Sequence, residues 1–129
     1  MMENLGILFL RVSAGLFMLI GHGYGKLVGF SAMKDSFPDP IGLGSMLSLV
    51  LVIFAEFFCA LAVTLGFKTR WASIPLTFNM LVAGLIFHAN DPWAKQEFAL
   101  LYVVPFFALI FLGSGSYSLD ALICKKKKE

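Results

Sequence analysis

Apolar residues along this chain neither alternate nor mark out a single helical stripe. They run on in four long blocks, interrupted by short polar or glycine-rich stretches. A helix that crosses a bilayer needs about 20 mainly apolar residues. The pattern predicts four such helices, over about 5–22, 44–65, 71–88 and 97–113, the first able to continue through the HGYGKL stretch. Pro75 and Pro105 fall inside the last two, where neighbouring helices can satisfy the carbonyls they free. A lipid-spanning barrel is excluded, since the alternation and the length for at least about eight strands are both missing. Arg11 sits in the middle of the first block and no small-residue cleavage site follows cleanly, so this block reads as a permanent helix and not a leader. The expected fold is an all-α integral membrane four-helix bundle, one domain over 1–129.

Composition sharpens that picture. Of 129 residues, 59% are hydrophobic and 14% charged, and the mean hydropathy is +0.85. A soluble domain carries charge on roughly a quarter of its residues. A nucleic-acid binder, an ordinary cytosolic enzyme and a disordered chain are thereby disfavoured, and the main partner is the lipid bilayer. Cys59 and Cys124 are far apart, outside any CxxC pattern, and predict no disulfide framework.

With four helices, both termini and the second loop share one side. That side carries Lys68, Arg70 and Lys125 to Lys128, against Lys26, Lys34 and Lys95 on the other. The positive-inside rule makes the first side cytoplasmic. The long first loop, about 21–42, contains Pro38 and Pro40 and is expected to order by packing on the outer end of the bundle. After the last span, Ser116 or Ser118 can cap a short amphipathic helix with Asp120 in its first turn. Its Leu119, Leu122 and Ile123 would lie on the inner membrane surface. The tail, 117–129, then sets its lysines against anionic headgroups.

Ionisable residues inside a span are the informative ones, because mid-bilayer charge is costly and needs a partner. Arg11 and Glu56 stand out, and the expectation is an interhelical Arg11–Glu56 ion pair. It either fixes the register of the first two helices or holds Glu56 as a proton carrier or ligand-binding group.

A second constellation lies towards the outer surface. His22 and Lys26 are four residues apart and share a helix face. On a regular helix Arg11 and His22 are only about 20° apart. His88, Tyr102 and Glu97 reach a similar depth from the third and fourth helices. Asn79 stands nine residues before His88, which is about 180° away on a regular helix, and is assigned towards the charged pair at mid-membrane. His22, Lys26, Asn79, His88, Glu97 and Tyr102 are thus the candidate ligand pocket. Several chemistries fit: a quinone or similar flat molecule hydrogen-bonded through its carbonyls, haem with His22 and His88 as axial ligands, or a metal site helped by Glu97 and Asp91. The two histidines can equally be interfacial caps, as Trp71 and Trp93 read as interface anchors.

The order of these elements carries a resemblance. An arginine in the first helix, Gly23-Tyr24-Gly25-Lys26-Leu27, a glutamate in the second, Gly66-Phe67-Lys68-Thr69-Arg70, His88 closing the third, and GSGSYSLD together resemble the DoxX family, from about Leu10 to Leu122. One departure is Ser114, where the family's motif usually reads proline. The resemblance implies a small bacterial inner-membrane protein, DoxD-like or quinol-oxidase-subunit-like. Some members are membrane subunits of thiosulfate:quinone oxidoreductases, some are grouped with quinone or catechol detoxification, and some join thiol-stress complexes. Its pattern falls on Arg11, Lys26, Glu56, His88, Tyr117, Ser118 and Asp120. The expected function is a redox-linked membrane subunit binding a quinone. Because no flavin or nucleotide motif is present, electrons would come from a soluble oxidoreductase or from the substrate. The alternatives are a non-catalytic scaffold that recruits a partner and, further off, a small permease built as a homo-oligomer.

Overall fold

The computed structural model describes residues 1–128. Four helices are long and apolar enough to cross a membrane: α1 (Met2–Val28), α2 (Ser45–Leu65), α3 (Thr69–Phe87) and α4 (Trp93–Leu112). A short helix, α5 (Leu119–Lys126), follows. No strand occurs among the described residues. The first helix runs well past residue 22, because nothing in HGYGKL breaks it. At Leu19–Gly23 it widens by one residue into an i→i+5 turn and then resumes. A one-turn helix, Phe30–Met33, and an irregular stretch lead to α2.

The helices pack in sequence order, with α3 against α4 and the lower half of α1 against the end of α2 as major contacts. Most large apolar side chains face outward, including Phe9, Phe17, Phe78 and Phe111, as expected where the solvent is lipid. The buried core is small, built from Met18, Ala60, Val63, Leu76, Phe106 and Leu109 with their neighbours. Between helices, glycine sets the distance. A Cβ on Gly15 would sit 2.3 Å from Thr64 Oγ1, and one on Gly23 would sit 2.2 Å from the Glu56 carbonyl oxygen. Small residues of this kind let membrane helices approach closely enough for van der Waals packing to hold them.

Turns close the bundle with specific polar partners. α2 ends at Gly66 in the left-handed region (φ 75°), which ordinary L-residues avoid. At the other end of α2, the Asp39 carboxylate accepts from the Leu43 and Gly44 amides at 2.7 and 2.8 Å and from Ser48 Oγ at 3.0 Å. These bonds hold the Asp39 carboxyl below the usual carboxylate range, with the Gly44 amide the largest cause.

Candidate functional site

Three of the four spans depart from regular helix at corresponding places. Wide i→i+5 turns occupy Leu19–Gly23 of α1, Phe54–Cys59 of α2 and Ala83–Phe87 of α3. Such turns insert one residue, rotate everything beyond them and gather at functional sites. Here the first carries His22, the second carries Glu56 and the third leads into His88.

Gly23 brings the first two of these turns together. With no side chain it lets the α1 backbone rest on that of α2 at Glu56 and Phe57. Lys26, one turn further on, then reaches across. Its Nζ lies 2.6 Å from Glu56 Oε2, and the Asn79 amide nitrogen donates to Glu56 Oε1 at 2.9 Å. The Glu56 carboxylate is buried, with one donor on each oxygen.

This group lies against a cavity of about 460 Å³ bounded by all four spans and by the loop around Phe37–Leu43. The walls are mainly apolar. His22, Lys26, Glu56, Asn79, His88 and Tyr102 supply most of the polar lining. The His22 ring is packed against Phe98 and Tyr102, with centroids at 5.6 and 5.5 Å. His88 Nδ1 lies 2.6 Å from Asp91 Oδ2, in the loop before α4. That hydrogen bond holds the Asp91 carboxyl below its usual range.

Two expectations need correction. Arg11 does not pair with Glu56. Its guanidinium hydrogen-bonds to the Val63 and Thr64 carbonyls in the last turn of α2 and to the Tyr117 carbonyl at 2.6 Å. The physical reason is position and demand. The end of α2 leaves carbonyl acceptor capacity open at the negative end of its dipole, even at Val63, where the Gly66 amide already donates. These carbonyls stand about 10 Å closer to the inner end than Glu56, by the rise per residue. Glu97 is the second correction: it is exposed and does not line the cavity, because its place on α4 turns it outward.

The sequence motif after α4 folds onto that inner end. Ser118 accepts from the Ala121 amide and so caps α5. The Asp120 amide donates to the Gly66 carbonyl at 3.0 Å, while the Asp120 carboxylate accepts from the Lys68 amide at 3.0 Å. Ser114, the residue at the family's proline position, donates to Asp120 Oδ2 at 2.7 Å and so tightens the turn. Arg11, Gly66, Tyr117, Ser118 and Asp120 therefore form one clasp joining α1, the α2–α3 turn and α5. The clasp is separate from the cavity.

Sequence reasoning missed Lys95, which also lines the cavity, the closing loop with Phe37 and Pro38, and the Asp39 cap. A carboxylate followed by Gly44-Ser45 at the start of an apolar block was a readable capping signal. The loop's contacts left no periodic trace. Among the described residues no three His, Cys, Asp or Glu side chains gather as a metal site. The His22 ring rests against Phe98 and Tyr102, and His88 is engaged with Asp91.

The comparisons agree with this architecture. The DoxX family model matches residues 6–89, which covers Arg11, Lys26, Glu56, Asn79 and His88. The chain is 30% identical to an Escherichia coli protein named inner membrane protein YqjF over 97% of each chain. It is also 30% identical to an uncharacterized protein of Haemophilus influenzae, over 74% of this chain and 67% of the other. No solved structure matches. Four apolar spans and the Escherichia coli relative place the protein in the inner membrane, and the chain belongs to the DoxX family.

Proposed function

We propose that the cavity binds a quinone or a similarly flat, apolar molecule with carbonyl or hydroxyl groups at its edges, and that the protein serves as a redox-linked membrane subunit. The observation that carries this reading is the arrangement around Glu56: a Lys26–Glu56–Asn79 group against a mainly apolar cavity of about 460 Å³. Ligand pockets have this character, apolar walls with a few convergent polar groups, and volumes of about 300–1,000 Å³. The aromatic walls stack on the ring. Lys26, His22, Tyr102 and the Asn79 amide are lining groups able to donate to edge oxygens, and Glu56 holds Lys26 and Asn79 in place. With both termini cytoplasmic, the cavity lies towards the periplasmic face. No flavin or nucleotide motif is present, so electrons come from a separate oxidoreductase or from the substrate itself.

The test is direct. Protein purified in detergent is extracted and the extract analysed for quinones by mass spectrometry, beside the His22→Ala/His88→Ala double variant. Quinone at near-stoichiometric amounts in the parent, and its loss in the variant, supports the reading. Quinone retained by the variant removes the histidines from the pocket, and a ligand-free parent that fails to take up added quinone overturns the proposal. A scaffold role is the second reading. It draws on the clasp, which holds the basic α5 rigidly at one end of the bundle, where a soluble partner or a second copy can meet it.

A further inference from the structure

One side of the internal cavity is bounded by residues that face the lipid. Leu51 and Phe54 of α2 and Phe78 and Phe87 of α3 all line it, yet each is exposed, Phe54 by 50% and Phe78 by 59%. On helices that cross a bilayer, side chains exposed at these positions meet acyl chains. The packing of α2 explains the opening. From Phe54 inward α2 rests on α3. Its outer part, Ser45–Ile53, packs chiefly on the Tyr24–Val28 part of α1 and makes no comparable contact with α3 or α4. The two helices thus part towards the outer face, and the cavity opens sideways between them. The rim of this slot is apolar, with Val52 and Val82 beside the four larger side chains.

We infer that this slot between α2 and α3 is the entrance of the cavity, so that its ligand arrives from the hydrocarbon of the bilayer and not from the water beyond the loop. The inference rests on the reading above that the cavity holds a ligand, and it adds the route. The outer side is fastened. Asp39 accepts from the Leu43 and Gly44 amides and from the Ser48 hydroxyl, which ties the loop and the outer part of α2 into one wall. Across the rim, His88 is engaged with Asp91. A solute entering there must disturb these bonds. The slot asks for nothing of the kind. Among the described residues no side-chain hydrogen bond joins Ser45–Ile53 to α3, and the bond from Asn79 to Glu56 marks the place where the two helices converge. A molecule passing between Phe54 and Phe87 therefore displaces only acyl chains, and it meets the Glu56 group at the inner end of the slot. Entry through hydrocarbon also selects, because a charged solute is excluded from it while an uncharged, membrane-dissolved one is concentrated at the opening.

A phosphatidylcholine carrying a diazirine in the middle of one acyl chain probes the slot directly. The full chain is placed in nanodiscs of this lipid and irradiated, and the adducts are located by mass spectrometry. Ala55 and Met80 report on the cavity, since both line it while being only 3% and 4% exposed. Ala60 and Leu76 are buried as deeply and do not line it. Phe111, on the outer surface of α4, reports on ordinary contact with lipid. With the slot open, adducts at Ala55 and Met80 should exceed those at Ala60 and Leu76 severalfold. Leu51→Trp/Val82→Phe, which fills the slot from both helices, should bring them down to the level of those two references and leave Phe111 unchanged. Phe54→Ala, which widens the slot, should raise them. Adducts at Ala55 and Met80 no more frequent than at the references, in the parent and in Phe54→Ala alike, overturn the entrance, and so does labelling that neither variant changes. No quinone takes part, so the two readings fail separately. A closed slot removes the route and leaves the proposed ligand standing, whereas an open slot in a protein that takes up no quinone removes that ligand and leaves the route.

Discussion

The ammonium group of Lys26 rests 2.6 Å from Oε2 of Glu56, although the two residues belong to different spans. A carboxylate in an apolar medium is tolerated only when paired and hydrogen-bonded, and here Asn79 completes the set on the other oxygen. Breaking such a pair by removing one partner costs about 3–5 kcal/mol, because the survivor is stranded. Lys26 keeps 22% of its side chain exposed, so the lower end of that range applies. Lys26→Met should therefore lower the thermal midpoint of the detergent-solubilised protein markedly. Lys26→Met/Glu56→Gln should recover much of the loss, since no charge is then left unpaired. A double variant as unstable as the single one would show that the pair does not act as a unit.

The same logic separates Arg11 from Glu56. The Arg11 guanidinium is tied to α2's last carbonyls and to Tyr117, not to the carboxylate. Effects of substitutions without shared partners add, whereas those of an ion pair do not. Arg11→Gln and Glu56→Gln should destabilise additively, within about 0.5 kcal/mol in a double-mutant cycle. A coupling clearly larger than that would restore the direct pair. Arg11→Lys should also fail to rescue, because one ammonium cannot match the forked reach to two helix-end carbonyls and a third on the tail.

Gly23 offers a steric test. A methyl group there would sit 2.2 Å from the Glu56 carbonyl oxygen, whereas Gly21, on the same wide turn, has nothing within 4 Å. Backbone cannot move aside as a side-chain tip does. Gly23→Ala should cost about 1–3 kcal/mol through overpacking and carry Lys26 away from Glu56. Gly21→Ala should be close to neutral. The check is thermal unfolding of both variants, and a Gly23→Ala protein as stable as Gly21→Ala would contradict the close crossing.

What the sequence showed and what it hid follow from the same geometry. The spans were legible because hydropathy reports the solvent, and the polar set was legible because lipid makes every charge conspicuous. Partner choice was not. Projecting Asn79 and His88 at 100° per residue puts them on opposite faces, yet both line the cavity. The Ala83–Phe87 wide turn lies between them and absorbs one residue, which reduces the separation to about 80°. The Leu19–Gly23 turn shifts His22 and Lys26 relative to Arg11 in the same way. No residue type announces such a turn. The Arg11 error arose differently: a search for a charged partner overlooked the carbonyls at the end of α2, which any helix terminus leaves open.

The loop over the cavity should respond to acid through Asp39. Its carboxylate accepts two backbone amides and Ser48, and these bonds hold its pKa in the folded protein below the unfolded value. The contribution to loop order is therefore fully present above the unfolded pKa of about 3.9 and is lost as pH falls through the lower folded value. Near neutral pH the cap should be intact, and acidification should release the Leu43 and Gly44 amides. The measurement is their NMR amide shifts as pH is lowered, in the parent and in Asp39→Asn. Asp39→Asn should show altered shifts at neutral pH and no titration at these two amides in the acid range. Shifts in the parent that titrate at or above the ordinary carboxylate value would contradict the cap, because the linkage would then vanish or reverse its sign. Loosening this segment also uncovers the Phe37 and Pro38 side of the cavity, so ligand release should quicken in Asp39→Asn even where the spans remain folded.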